Sequence, residues 1–201
     1  MTLIFDTETT GLPMRAGYET YHHPQKLQCY ESARLVQIAY IILDEEKTPI
    51  KLYSAIVKPN GFTISAEIAK IHGITQEIAE EKGTDIKTVL NNILEALKSV
   101  DTIVAHNIGF DYSIVLSEAY RIGFFELIKE LKRKRCFCTK IQAQKQLKLQ
   151  KAPKLTELHS MLITEENWVQ KHDAMDDTFS CMRCFVKLRE TNEDDRPKFI
   201  N

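Results

Sequence analysis

Thr2-Leu3-Ile4-Phe5-Asp6-Thr7-Glu8-Thr9-Thr10-Gly11-Leu12 is the stretch on which the reading of this 201-residue chain turns. Thr2 to Phe5 is a short apolar run of strand-forming residues, and Gly11-Leu12-Pro13 ends it. Asp6 and Glu8 follow two apart at the end of the strand. Alternation along a strand puts both side chains on the same face of a sheet. Two carboxylates pointing together repel each other and lose hydration. A cation relieves both costs, and hard divalent ions such as Mg²⁺ and Mn²⁺ prefer oxygen ligands of this kind. An isolated Asp-x-Glu is more often a strand end fraying into solvent, so the pair gains meaning only from partners elsewhere in the chain.

Working outward, Arg34 to Leu43 is a strongly apolar strand, Asp44 to Lys47 a hairpin turn, and Lys51 to Val57 a further strand closed by Pro59-Asn60-Gly61. Three strands in a row suggest an antiparallel meander. The period then changes. Ser65 and Thr75 are N-cap residues for two short helices, with Gly73 as a stop. Asp85 begins an amphipathic helix carrying Val89, Ile93, Leu94 and Leu97 on one face. Thr102 to Ala105 reads as a strand, 110–122 and 124–132 as helices, 136–139 as a last short strand, and 140–150 and 154–162 as helices broken at Pro153. Asp173 to Glu190 is the final long helix. The pattern is a mixed-sheet α/β domain with helices on both faces, over residues 1–190, followed by a frayed polar tail at 191–201.

Two helices carry further acids. Asp111 lies in the first turn of its helix, where the helix dipole alone favours an acid. In the last helix, Ala174, Asp177, Cys181, Cys184, Phe185 and Leu188 fall on one stripe. Asp177 therefore sits on the apolar, inward face, while its neighbour Asp176 shares the other face with Ser180, Arg183 and Lys187. A buried ionised Asp is costly unless it is ion-paired or metal-bound. His172, five residues ahead of Asp177, is suited to accept a proton from water if it lies beside them.

Composition sets the outer limits. Hydrophobic residues make up 43% and charged residues 27%, and no run of eighteen apolar residues occurs, which excludes a helical membrane protein. The chain begins without a secretory signal pattern, so an intracellular location, cytoplasmic or nuclear, is expected. Its five cysteines then read as reduced thiols, and Cys136, Cys138, Cys181 and Cys184 read as core residues in preference to a zinc site. The formal net charge is −1. Residues 129–154 nevertheless hold ten Lys or Arg against one acid, Glu130. An acidic body with a basic strip suits metals in one place and phosphates in another, although a solvated helix face has the same composition.

Read together, these segments resemble the DEDDh, DnaQ-like 3′-5′ exonucleases, the family that includes polymerase proofreading subunits. Phe5 to Leu12 is similar to the first family motif, His106-Asn107-Ile108-Gly109-Phe110-Asp111 to the second, and His172-Asp173-Ala174-Met175-Asp176-Asp177 to the third. Ile71-His72-Gly73-Ile74-Thr75 resembles a further family segment. Each piece is weak alone; four in the right order, across about residues 2–186, are specific. The resemblance implies an RNase H-like fold, a five-stranded mixed sheet of order 3-2-1-4-5 with strand 2 antiparallel. It also implies hydrolysis of 3′-terminal phosphodiesters to nucleoside 5′-monophosphates by two divalent cations, Mg or Mn. Asp6 would bridge both ions, Glu8 and Asp177 would hold the nucleophile-side ion, Asp111 would serve the other, and His172 would deprotonate the attacking water. Thr9, Leu12, His72, Asn107 and Phe110 would line the pocket of the terminal nucleotide. The expected partners are nucleic-acid 3′ ends, DNA ahead of RNA, and a DNA polymerase. An RNA-trimming enzyme of the same fold is the alternative; a nuclease-dead interaction module is disfavoured because all five site residues are present.

Two features fall outside the motifs. Residues 14–33 read as a long loop with Tyr18, Tyr21, His22, His23 and Tyr30, suited to stacking on unpaired bases. Lys132-Arg133-Lys134-Arg135 reads as a phosphate-contacting patch, a nuclear import signal or a solvated loop.

Overall fold

A computed structural model describes residues 1–17, 20–163 and 172–190. The tail expected at 191–201 and Tyr18 lie outside the described residues. A five-stranded sheet organises the chain: β1 (Thr2–Thr9), β4 (Leu35–Leu43), β5 (Pro49–Ile56), β6 (Thr102–Ala105) and β7 (Arg135–Cys138), in the order β5-β4-β1-β6-β7. β4 is antiparallel to both of its neighbours, and β1, β6 and β7 run parallel. This is the order and the single reversed strand that the family resemblance implies. All nine residues of β4, Leu-Val-Gln-Ile-Ala-Tyr-Ile-Ile-Leu, are buried, as an interior strand covered on both faces must be.

The two faces carry separate cores. Leu3, Phe5, Ile38, Tyr40, Ile42 and Ile103 pack under α3 (Ile86–Lys98), α4 (Ile108–Arg121) and α5 (Phe125–Leu131). Ile4, Ile41, Leu43, Val104 and Phe137 pack under α6 (Thr139–Gln146), α7 (Leu155–Leu162) and α8 (Ala174–Glu190). The alternation of β1 thus sends Leu3, Phe5 and Thr7 to one side, and Ile4, Asp6 and Glu8 to the other. Between β5 and α3, α1 (Ala66–His72) and α2 (Gln76–Lys82) begin at Ser65 and Thr75, whose hydroxyls accept the N–H of Ile68 and Ile78. Gly73 ends α1 in left-handed geometry at φ 75°, where a side chain would be strained.

α4 is fixed to the start of β4 by a buried ion pair. The Arg34 guanidinium donates through Nε to Glu118 Oε1 at 2.7 Å and through Nη2 to Oε2 at 3.1 Å, and the Leu35 N–H donates to Oε1 at 3.3 Å. Arg34 and Glu118 are 6% and 1% exposed, so the forked geometry, which satisfies both partners, is what makes their burial tolerable.

The connection expected as a loop at 14–33 has structure of its own. β2 (Arg15–Gly17) and β3 (Thr20–Tyr21) form a short hairpin, followed by a 3₁₀ turn at Leu27–Tyr30. The Tyr30 side chain is fully buried and its hydroxyl donates to the His22 carbonyl at 2.5 Å, so local packing, not periodicity, orders the segment.

Candidate active site

The carboxylates gather at the C-terminal end of β1, where the strand leaves the sheet. Asp6 pairs across with Ala39 and Glu8 with Gln37, and a register shift after Glu8 ends the regular ladder. Asp6 and Glu8 share a face with Ile4, toward α8. Asp111 reaches the same place from the opposite helix layer. Its Oδ1 accepts the Thr7 hydroxyl at 2.7 Å and the Thr7 N–H at 3.1 Å. Thr7, pointing away from its two acidic neighbours, is therefore what draws Asp111 to the strand edge.

Asp177 comes from α8. It is 4% exposed, whereas Asp176 is half-buried, so the helical stripe identifies the inward acid correctly. His172 stands just before α8, exposed and in left-handed geometry at φ 51°. Ligand atoms of Glu8, His172 and Asp177 all lie within 4.8 Å of one another. A brace sets this corner. Asp173 Oδ1 accepts the N–H groups of Met175 and Asp176 at 2.9 and 3.3 Å, capping the helix. Gln37, on β4, donates through Nε2 to Asp173 Oδ2 at 2.9 Å and accepts the Ala174 N–H through Oε1 at 3.1 Å. One buried glutamine thus ties the residue after His172 to the strand that pairs with Glu8.

Electrostatics mark the cluster as short of positive charge. Burial, and then Asp111, Asp177 and Glu8, push Asp6 well above the usual carboxylate range. Glu8 is raised to about 8 by burial and by Asp177, Asp111 and Asp173. Asp111 is also raised, chiefly by burial, against the lowering effect of the Thr7 hydrogen bonds. The negative charge crowded here is what a divalent cation would relieve, and its binding would release the protons that these acids hold. The donor set, carboxylates with one imidazole, fits Mg²⁺ or Mn²⁺.

The residues expected to line the nucleotide pocket divide. Leu12 is 64% exposed in the turn that follows β1, and Phe110, half-buried in the first turn of α4, meets the Tyr21 ring edge-on at 5.9 Å. The hairpin thus packs an aromatic ring on the first turn of α4, beside Asp111. Thr9 is buried and its hydroxyl donates to the Gly11 carbonyl at 2.7 Å, shaping the turn that presents Leu12. A Cβ on Gly11 would lie 2.8 Å from the Ser32 carbonyl oxygen, so only glycine fits that turn. Asn107 caps α4 in left-handed geometry at φ 74° and lines the cleft beside Asp6. His72 is buried at the end of α1, where its Nδ1 accepts the Ile74 N–H at 3.1 Å. Among the described residues no hydrogen bond joins His72 to the carboxylates.

The basic strip also divides. Arg135 pairs with Thr102, in the row that includes Thr2. Lys132 to Arg135 therefore sit at the end of the sheet opposite the carboxylates, where Lys134 and Arg133 pair with Glu130. Farther along, Lys140, Lys151 and Lys154 line a cleft of about 760 Å³ together with Asp6, Asn107 and Asp177. His106 shapes its wall: Nε2 meets the Pro153 carbonyl at 3.1 Å and Nδ1 the Thr139 hydroxyl at 2.9 Å. A carbonyl can only accept, so Nε2 carries the proton and Nδ1 accepts. Burial pushes the ring's pKa down to about 4, in keeping with this neutral form. The four clustered cysteines lie on opposite sides of the sheet, Cys136 and Cys138 with the α4 layer and Cys181 and Cys184 with the α8 layer, so they do not form one zinc site.

Thr7, Gln37, Asp173 and His106 are the residues that sequence reasoning does not assign. Asp173 carried a weak signal as an acid just before a helix; the other three depend on partners 47 to 136 positions away.

Among the described residues no helix is long and apolar enough to cross a membrane. No curated protein matches the chain significantly. Among solved structures, Exonuclease X in complex with 5′-overhanging duplex DNA is similar at TM-score 0.63 and 18% identity, over 95% of this chain and 92% of that one. Exonuclease I from Methylocaldum szegediense gives TM-score 0.71 at 20% identity, over 96% of this chain and 40% of its own. Exonuclease I of E. coli in complex with a dA16 oligonucleotide gives 0.70 at 21%, over 96% and 41%. The chain thus spans about two-fifths of the Exonuclease I chains, and at these identities the likeness establishes the fold. The RNase_T exonuclease family matches residues 3–185, which takes in every carboxylate of the cluster and His172. Exonucleases of this kind use divalent metal ions. The chain belongs to the RNase_T exonuclease family, within the DEDDh-type, DnaQ-like 3′-5′ exonucleases.

Proposed function

We propose that the protein removes nucleotides from the 3′ ends of single-stranded or frayed DNA by two-metal hydrolysis with His172 as general base. The observation that carries this reading is the meeting of Glu8, His172 and Asp177 within 4.8 Å, beside Asp6 and Asp111, in a group of acids with raised pKa. Asp6, Glu8, Asp111 and Asp177 would hold the ions. When bound, two divalent cations supply charge stabilisation at the phosphate and make water easier to deprotonate. His172 takes the proton from the attacking water. The phosphorus–O3′ bond breaks, the terminal nucleoside 5′-monophosphate leaves, and the shortened strand keeps a 3′-hydroxyl. Exposure of the imidazole suits this role, because a base must pass its proton on to solvent after each turnover. Gln37 and Asp173 position the histidine from behind.

DNA is favoured over RNA because the similar structures hold duplex DNA with a 5′ overhang and a dA16 strand. On the nucleotide side, Leu12 and Phe110 would offer apolar surface for the terminal base, and Thr9, Asn107 and His72 remain the other residues that the family resemblance assigns to that pocket.

The test is shortening of 5′-labelled single-stranded DNA, duplex DNA and RNA in Mg²⁺ or Mn²⁺, wild type against Asp6→Ala. Metal-dependent ladders on DNA, absent in the variant and blocked by a 3′-phosphate, are expected. Faster trimming of RNA would move the assignment to the alternative substrate, and no shortening of any strand would end the nuclease reading.

A further inference from the structure

The segments that carry the carboxylates present two unlike kinds of surface. At Phe110 with Tyr21, next to Asp111, and at exposed Leu12, in the turn after β1, the surface is apolar and aromatic. Toward the α6–α7 connection it is cationic, with Lys140, Lys151 and Lys154 lining the same space as Asp6 and Asp177. Residues 139–154 hold five lysines and no acid. Among the described residues, neither Lys151 nor Lys154 is in an ion pair, unlike Lys134 at the other end of the sheet.

The connection that carries these lysines is held in place. The Leu149 N–H donates to the Gln144 carbonyl at 2.9 Å, and the Gln144 side chain reaches the Gln150 carbonyl at 3.4 Å. Lys148 takes left-handed geometry at φ 52° to make the turn. His106, one residue before Asn107, holds the Pro153 carbonyl between Lys151 and Lys154. Asn107 itself opens α4, the helix of Asp111, so the loop is pinned to the segment that presents a site carboxylate. A solvated charge run needs none of these ties.

We propose that Lys151 and Lys154 form a track for the phosphates of the cleaved strand, on the 5′ side of the bond that breaks. Resting on the nuclease reading of the carboxylate cluster, this gives the substrate a direction. Bases stack on the apolar flank and phosphates meet the lysines, so the 3′-terminal nucleotide lies toward Leu12 and Phe110, and the rest of the strand leaves along the α6–α7 connection. The lysines also answer a physical difficulty, because a group of buried acids repels a polyanion until cations near it offset the field.

The experiment compares wild type with a Lys151→Glu, Lys154→Glu double variant on two substrates attacked at the same 5′-phosphodiester phosphorus: a short 5′-labelled single-stranded DNA, and the p-nitrophenyl ester of thymidine 5′-monophosphate, whose leaving group is nitrophenolate and which has no upstream phosphates. The double variant should raise KM for the oligonucleotide about tenfold or more at low salt and change kcat by less than about twofold. Its log–log salt dependence of binding should flatten by about 1.4, the value for two lost single-strand phosphate contacts. Hydrolysis of the nitrophenyl ester should change by less than about twofold, and Lys151→Arg, Lys154→Arg should restore oligonucleotide KM. An equal loss on both substrates would mean that the loop only supports the site, and an unchanged KM for the oligonucleotide would mean that the lysines do not meet the strand; either overturns the track. Inactivity of wild type on both substrates would instead count against the nuclease reading. Fluorescence anisotropy of the labelled oligonucleotide in EDTA then still decides the contact: weaker binding by the double variant supports it, equal binding rejects it.

Discussion

Glu118 and Asp111 sit seven residues apart on α4, two turns along one face, and both are nearly inaccessible to water. Glu118 is gripped by the Arg34 guanidinium and the Leu35 N–H. Asp111, among the described residues, is met by the neutral donors of Thr7, and it faces Asp6 and Asp177. One buried acid is matched by a guanidinium; the other lies among further acids that push its pKa up. Burial of charge alone therefore does not locate a site. The informative quantity is the charge left unanswered by nearby protein cations.

That contrast gives opposite expectations for the same kind of substitution. Asp177→Asn should lower exonuclease turnover by more than about 10³-fold, the scale of removing a member of a group that acts as a unit. The same change relieves repulsion, so the metal-free variant should melt a few degrees higher than metal-free wild type, at roughly 2–4 °C per kcal/mol for a chain of this size. Saturating Mn²⁺ should raise the melting temperature of wild type and leave the variant nearly unmoved. A drop in the metal-free melting temperature would show that Asp177 has a stabilising role instead.

Glu118→Ala should behave in reverse. Stranding the Arg34 charge costs about 3–5 kcal/mol, which urea denaturation would read directly, while kcat per folded molecule stays within a few-fold of wild type. His106 represents a third way to bury an ionisable group, by keeping it neutral. Its folded pKa of about 4 lies below the ordinary value of 6.5, so the unfolded chain binds the proton more readily. Stability from this residue is complete above about pH 6.5 and is lost as the pH falls toward 4, by at most about 1.4 kcal/mol per pH unit. His106→Gln should flatten that slope, as measured by urea midpoints across this range. The smallest expected effect belongs to Gln37→Ala. It should cut kcat by roughly 10–100-fold, as loss of an outer positioning contact does, with KM for the nitrophenyl ester nearly unchanged. A rise in KM alone would argue against a role in placing His172.

The sequence was most readable where a local period or an ordered motif carried the information. Alternation in β1 grouped Asp6 with Glu8, and the 3.6-residue stripe of α8 separated Asp177 from Asp176. The strand order followed from the family resemblance, not from periodicity. What stayed hidden was long-range. Gln37 looks like one polar residue in an apolar strand until its partner, 136 residues later, is in place. The hairpin at Arg15–Tyr21 is too short for a periodic signal and is ordered by packing on α4. The strip at 129–154 reads as one basic block, but β7 runs through it and carries its two halves to opposite ends of the sheet.

The third motif comes late in the chain, and α8 packs directly on β1 and β4. A chain that stops between residues 112 and 171 has Asp6, Glu8 and Asp111 but neither His172 nor Asp177. Such a chain would hold only part of the proposed group, however well its first strands have paired. Because Gln37 meets Asp173 and the Ala174 N–H only when α8 is docked, assembly of the proposed group depends on packing between α8 and the strands β1 and β4, not on pairing of the strands alone.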